Sequence, residues 1–147
     1  MSNLPTEHSH LVPYITVDPA AAAITFYVEA FGAVELYRLT DKDGRIGHAE
    51  LDLGTGRLML SDPYPDFGAQ PPSAPAGVVF ALYVADVDAT SAAAVSRGAT
   101  LITEPEDQFY GDRISRVRDP FGHMWALHQR LREVTPDEMK RLFEGMG

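Results

Sequence analysis

Apolar residues along this chain follow two periods in turn. One is alternation at every second position, the mark of a half-buried strand; the other is spacing at i, i+3, i+4 and i+7, the mark of a helix with one buried face. The order of these runs repeats once. Tyr14-Ile15-Thr16-Val17-Asp18 leads into an alanine-rich helical pattern, and Leu82-Tyr83-Val84-Ala85-Asp86 leads into another. In the first, Asp18 suits an N-cap, Pro19 the first helical position and Gly32 the left-handed residue past the end, which predicts a helix over Pro19 to Phe31. Its Ile24, Tyr27, Val28 and Phe31 form the predicted packing stripe. Strands are predicted at Val34–Leu39, Ile46–Leu53 and Arg57–Ser61, divided by turns at Asp43-Gly44 and Gly54-Thr55-Gly56. The second pattern predicts a strand at Val78–Val84 and a helix from Val87 to Arg97 between Asp86 and Gly98. Strands near Thr100–Thr103, Arg113–Arg118 and Met124–Gln129 follow.

Three anchors hold this repeat in register: 67 positions separate Val17 from Val84, 66 separate Gly32 from Gly98, and 67 separate Asp52 from Asp119. The expected fold class is therefore α+β, a tandem pair of βαβββ units. Residues 1–10 read as a polar tail, 11–130 as one domain, and 131–147 as a C-terminal amphipathic helix. Within the domain, unit 1 spans 11–61, an extended proline-rich linker 62–77, and unit 2 78–130. In the tail segment, Thr135-Pro136-Asp137-Glu138 is a capping box, and Met139, Leu142, Phe143 and Met146 share one stripe. That stripe needs an apolar surface, on its own subunit or on another.

A formal charge of −9 with no basic cluster excludes nucleic acid and anionic membrane as natural partners. No run of 18 apolar residues and no signal-like start interrupts the sequence, so a cytoplasmic protein is expected. The chain has no cysteine, which rules out disulfides, thiolate nucleophiles and Cys-ligated metals.

A doubled βαβββ unit with Asp119-Pro120-Phe121-Gly122 before the last strand, and Phe26-Tyr27 with Phe31-Gly32-Ala33 in the first helical segment, resembles the vicinal oxygen chelate superfamily. That superfamily includes glyoxalase I, bleomycin and fosfomycin resistance proteins and extradiol dioxygenases. The resemblance covers residues 11 to about 130, and the tail Thr135–Arg141 is similar to one branch of bacterial glyoxalase-like proteins. It implies mixed, curved sheets forming a cup, helices on the outer face, a homodimer, and a small-molecule ligand in the cup. It also implies up to four His, Glu or Gln metal ligands on the first and last strand of each unit. Counting along the repeat, those positions hold Val12, Met59, Val79 and Ala126. None is a nitrogen or oxygen donor of the kind a hard or borderline cation needs to offset its dehydration, so no metal and no other cofactor is expected.

If those four residues face the cup, strand alternation places Tyr14, Thr16, Arg57, Ser61, Ala81, Tyr83, Met124 and His128 beside them. Ile15, Val17, Leu58, Leu60, Phe80, Leu82, Val84, Trp125 and Leu127 then form the core face. By resemblance to fosfomycin-resistance proteins, Ile114, Arg116 and Tyr110 join the cup. The candidate ligand-binding residues are thus Tyr14, Thr16, Met59, Ser61, Tyr83, Tyr110, Arg116, Met124 and His128. Tyr14 and Tyr83, at related positions of the two units, suit a sandwich around a flat ring; the alternative is that they and Met59 fill a closed core. Arg116 is expected to meet a carboxylate such as Glu50 or Asp112, and His128 to be a solvated strand end. His48, Glu50 and Asp52 read as the wet side of a strand, His8 and His10 as tail, and His123 as a structural turn residue.

Function follows from the apolar ligand positions: binding of a mostly apolar or aromatic small molecule without the family metal. The alternatives are a lyase, isomerase or dioxygenase of the same superfamily, acting without metal through Arg116, His128, Tyr14 or Tyr83 or with displaced ligands such as His48, Glu50 and His128. A purely structural interaction module is the fourth.

Overall fold

The computed structural model describes residues 3–54, 56–73 and 77–146, so Thr55 of the expected turn and residues 74–76 of the expected linker lie outside the described residues. The chain divides into two compact units, residues 1–76 and 77–147. In the first, β1 (Tyr14–Thr16) is followed by α1 (Ala20–Phe31), β2 (Val34–Thr40), β3 (Ile46–Asp52) and β4 (Arg57–Ser61). The second repeats the order with β5 (Phe80–Tyr83), α2 (Val87–Ser96), β6 (Thr100–Asp107), β7 (Asp112–Arg118) and β8 (Met124–Arg130), and adds α3 (Pro136–Met146). Strands run in the order β1-β4-β3-β2 in one sheet and β5-β8-β7-β6 in the other. Each first strand pairs in parallel with the last of its unit, and the remaining pairs are antiparallel. This is the α+β, twice βαβββ arrangement. Among the described residues no helix is long and apolar enough to cross a membrane.

One face of each sheet carries the helix, and alternation decides which residues meet it. Ile15, Ala49, Leu51, Leu58 and Leu60 are buried on the α1 side of the first sheet, and Val117, Trp125 and Leu127 on the α2 side of the second. Each fully buried Val, Ile or Leu side chain among them contributes about 1.5–3 kcal/mol. The core list read from the sequence holds, except that Phe80, Leu82 and Val84 are only half-buried. On α1 the stripe is rotated from the expected one. Ala20, Ala23, Ile24, Phe26, Tyr27 and Ala30 are buried while Val28 is exposed, since the small alanines let the helix approach the sheet closely.

The helix caps differ between the units. Asp86 caps α2 as expected, accepting from the Ala89 amide at 3.1 Å. Asp18 does not cap α1: it precedes Pro19 through a cis peptide, and the helix begins at Ala20. Asp62 replaces it from across the unit, Oδ1 accepting from Ala20 N at 2.8 Å and Oδ2 from Ile46 N at 2.7 Å. Its repeat partner Gln129, 67 positions on, accepts from Val87 N at 2.9 Å. Both units thus tie the helix start to the residue at the end of their last strand. Asp62→Ala is expected to cost about 2 kcal/mol, because two amides lose an ionised acceptor; urea unfolding of the variant beside wild type measures it.

Two further segments depart from expectation. The start of the supposed linker is folded back: Pro65–Phe67 form a 3₁₀ turn, and the Tyr64 hydroxyl donates to Asp41 Oδ2 at 2.8 Å while Arg45 lies over its ring. Strand β6 extends four residues beyond Thr103 and includes Pro105, which an edge strand with register shifts accommodates. At the C-terminus the Thr135 hydroxyl accepts from Glu138 N at 3.2 Å, as the capping box predicts. On α3, Phe143 touches Phe109 but remains largely exposed, as does Met146.

Candidate functional site

Because directly paired residues share a face, the helix-free side of the first sheet can be read off the ladder. Tyr14 on β1 pairs with Met59 on β4, Met59 with Glu50 on β3, and Glu50 with Tyr37 on β2. This row crosses the sheet at the level of the expected ligand position Met59. Glu50 is its centre. The Tyr37 hydroxyl donates to Oε2, His48 Nε2 lies 3.1 Å from the same oxygen, and Arg57 Nη1 donates to Oε1 at 2.9 Å. On the far side of the imidazole, Tyr14 Oη lies 2.8 Å from His48 Nδ1. Tyr14 and Tyr37 both lie against the His48 ring, with centroids 5.4 and 5.7 Å away.

Glu50 is therefore not on a wet strand side. Its own face is solvent-directed, but the side chains of neighbouring strands cover it, leaving the residue 7% exposed. The Tyr37 hydroxyl above all, then His48 and Arg57, hold its carboxyl down to about 2, against the desolvation that would raise it. The same hydrogen bond raises the Tyr37 phenol above its ordinary range, and burial raises that of Tyr14. Exposure falls inward from Tyr14 through His48 to Glu50. The Tyr14 ring is half open to solvent, and the side chains of His48 and Glu50 are 23% and 10% exposed.

The second sheet has a different centre. Asp112, buried at the start of β7, accepts from the Tyr83 hydroxyl at 2.8 Å, and His128 Nδ1 lies 3.0 Å from the same oxygen. Arg130 approaches the other oxygen at 3.9 Å. The hydrogen bond to Asp112 raises the Tyr83 phenol. His128 is thus a partnered side chain, 14% exposed, and not a solvated strand end. Arg116 is exposed, and within its own unit the Asp112 carboxylate is taken by Tyr83, His128 and Arg130. Arg116 lines a depression of about 220 Å³ with Thr103, Tyr110 and Ile114. A second depression of about 220 Å³ adjoins Tyr83, Tyr110, Asp112 and Met139. A wider groove of about 450 Å³ lies between α2 and β6, where Asp88 and Asp107 close on Arg113.

Of the remaining expected residues, Thr16, Met59 and Met124 are half-buried, and Ser61 is buried with its hydroxyl donating to the Asp62 carbonyl at 2.9 Å. Ladder register also corrects the relation between the two tyrosines. Tyr14 pairs with Met59 and Ala81 with Ala126, so Ala81 is the counterpart of Tyr14, and Tyr83 that of Thr16. Counterparts of another kind appear one strand over, where Glu50 pairs with Met59 and Arg116 with Ala126. The repeat therefore places opposite charges at equivalent positions. Sequence reasoning missed Tyr37, and it considered Glu50 only as a displaced metal ligand or a partner of Arg116 and Asp112 only as such a partner, not as the centres of the two clusters. The available signal was a carboxylate alternating with core residues on a central strand, where burial demands partners.

The donor set does not fit the superfamily's metal. Val12, Met59, Val79 and Ala126 offer no charged or nitrogen ligand, and Glu50, the carboxylate paired with Met59 across the ladder, already accepts three hydrogen bonds. Among the described residues no three His, Asp or Glu side chains converge as a metal site.

Comparison with known proteins agrees with this architecture. An uncharacterized protein of Mycobacterium bovis is 44% identical over 142 residues, covering 93% of each chain. An uncharacterized protein of Arabidopsis thaliana is 33% identical over 129 residues, covering 82% of this chain and 76% of that one. Among solved structures, TioX from Micromonospora sp. ML1 superposes with a TM-score of 0.65 at 29% identity, covering 84% of this chain and 99% of that one. Residues 8–127 match the model of the glyoxalase/bleomycin resistance protein/dioxygenase superfamily, and the chain belongs to that superfamily.

Proposed function

We propose that this protein binds a flat, mostly apolar or aromatic small molecule on the helix-free faces of its sheets, without the metal its superfamily commonly uses. The observation that carries this reading is the apolar set Val12, Met59, Val79 and Ala126 at the superfamily's ligand positions, beside half-exposed rings whose polar tips are already tied down. Tyr14, Tyr37 and Tyr83 each present ring area to solvent while their hydroxyls engage His48, Glu50 and Asp112. Rings fixed in this way provide contact area with little further loss of conformational freedom. A homodimer is part of the proposal, supported by the exposed apolar residues Leu142, Phe143 and Met146 of α3; a cytoplasmic location is proposed with it.

Isothermal titration of chelator-treated protein with a panel of planar aromatic compounds tests it. Binding by metal-free protein is expected. Tyr14→Ala should weaken it about tenfold, the equivalent of one lost aromatic contact. A panel that binds only after a divalent metal is added would overturn the proposal.

A further inference from the structure

We infer that Tyr14, His48 and Glu50 form a proton relay on the helix-free face of the first sheet, which takes the proton of a weakly acidic hydroxyl on a flat conjugated ligand, a phenol or an enol. This rests on the binding reading above and assigns to the same face a chemistry that binding alone does not need.

The geometry fixes the direction of each hydrogen bond. An ionised carboxylate only accepts, so the hydrogen shared with Glu50 Oε2 belongs to His48 Nε2. A neutral imidazole protonated at Nε2 has its lone pair at Nδ1, and Tyr14 Oη, 2.8 Å away, donates to it. The Gly47 carbonyl is a more distant second acceptor at 3.4 Å. The hydroxyl hydrogen of Tyr14 therefore points inward, and its remaining lone pairs are open to a ligand. Hydroxyl, imidazole and carboxylate stand in the order used by hydrolase triads, with a phenol as the outer member.

The transfer runs as follows. The ligand O–H bond breaks heterolytically, and its proton joins Tyr14 Oη as the proton of Tyr14 passes to His48 Nδ1. The ligand keeps the electron pair as an oxyanion, and His48 becomes an imidazolium that still donates through Nε2 to Glu50. No other reactant is consumed, and the reverse steps restore the start. The groups around His48 favour this end state. Glu50 on β3 supplies the negative charge, Tyr37 on β2 and Arg57 on β4 keep that carboxylate ionised, and Ser61 lies beside Tyr14. Because the Tyr37 and Arg57 hydrogen bonds hold the proton off Glu50, it stops on the imidazole. The rings of Tyr14 and Tyr37 flank the site and suit a flat partner.

Meta-nitrophenol is the probe: it is flat, colourless when neutral and yellow as its anion, and it is still mostly neutral at a pH above the ordinary histidine range. Full-length protein is mixed with it at a pH where the free probe is mostly neutral, and the bound amount is measured separately by equilibrium dialysis. The ionised share of bound probe should rise several-fold over that of free probe. In Tyr14→Phe and His48→Gln that share, counted per molecule bound, should return to the free value. Bound probe that stays colourless with wild type, or turns equally yellow with Tyr14→Phe, would overturn the relay while leaving binding intact. Should the probe not bind, nitrogen NMR of the histidine rings in unliganded protein decides the matter. His48 is expected as the Nε2–H tautomer, and the Nδ1–H tautomer would overturn the relay whatever becomes of the binding reading.

Discussion

Replacing Glu50 with alanine is expected to lower the stability of the protein by about 3 kcal/mol, near the value for breaking a mostly buried ion pair by deleting one partner. Arg57 would be left with its guanidinium largely covered and uncompensated, and the Tyr37 hydroxyl and His48 Nε2–H would lose their acceptor. Glu50→Gln should cost less, since an amide oxygen can still accept. The pH dependence has a definite sign. The folded-state pKa of Glu50 is depressed to about 2, so its contribution is present above the ordinary carboxylate range. It is lost as pH falls from about 4.3, the unfolded value, toward the folded one. Wild type should therefore lose stability across that window faster than Glu50→Gln. Urea unfolding of both proteins at a series of acidic pH values measures the difference.

Asp119→Ala should be of similar or greater effect, about 3 kcal/mol or more, and for a related reason. Asp119 is buried in the turn before β8, where Oδ1 accepts from the amides of Phe121 and His123 at 2.9 and 3.0 Å and Oδ2 from the Trp125 indole at 2.9 Å. Deleting the carboxylate leaves three donors without it, one of them on a side chain in the core of the second unit. Trp125 is the one tryptophan in the chain, so its fluorescence reports the site directly. The variant should show emission shifted to the red together with a lower unfolding midpoint. Asp119→Asn, which keeps one acceptor oxygen, should recover part of the loss.

These two carboxylates show how far the sequence could be read. Asp119 stood out because it repeats Asp52 at a spacing of 67 and sits in a turn motif, and turn chemistry is local. Glu50 did not, because its partners come from other strands: Tyr37 from β2, Arg57 from β4, and, through His48, Tyr14 from β1. A charged residue alternating with apolar ones looks solvated until those neighbours are in place. The core face of the sheets was legible because period-two alternation reports it directly, and Ile15, Leu58, Leu60, Trp125 and Leu127 are buried accordingly. Asp62 was hidden for the opposite reason. It lies in a proline-rich stretch with no period, yet it caps a helix 42 residues earlier in the chain. Pro105 concealed the outer half of β6, since proline argues against a strand except at an edge, and whether a strand is an edge is decided by topology.

A small molecule is proposed to bind the helix-free sheet face without metal. Chemical-shift mapping of the chelator-treated protein, titrated with a planar aromatic compound that binds in the calorimeter, tests it most directly. Perturbations should gather on Tyr14, Tyr37, His48 and Met59 and spare the buried α1 side at Ala49 and Leu51. Perturbations confined to the groove between α2 and β6, or appearing only once a divalent metal is restored, would contradict it.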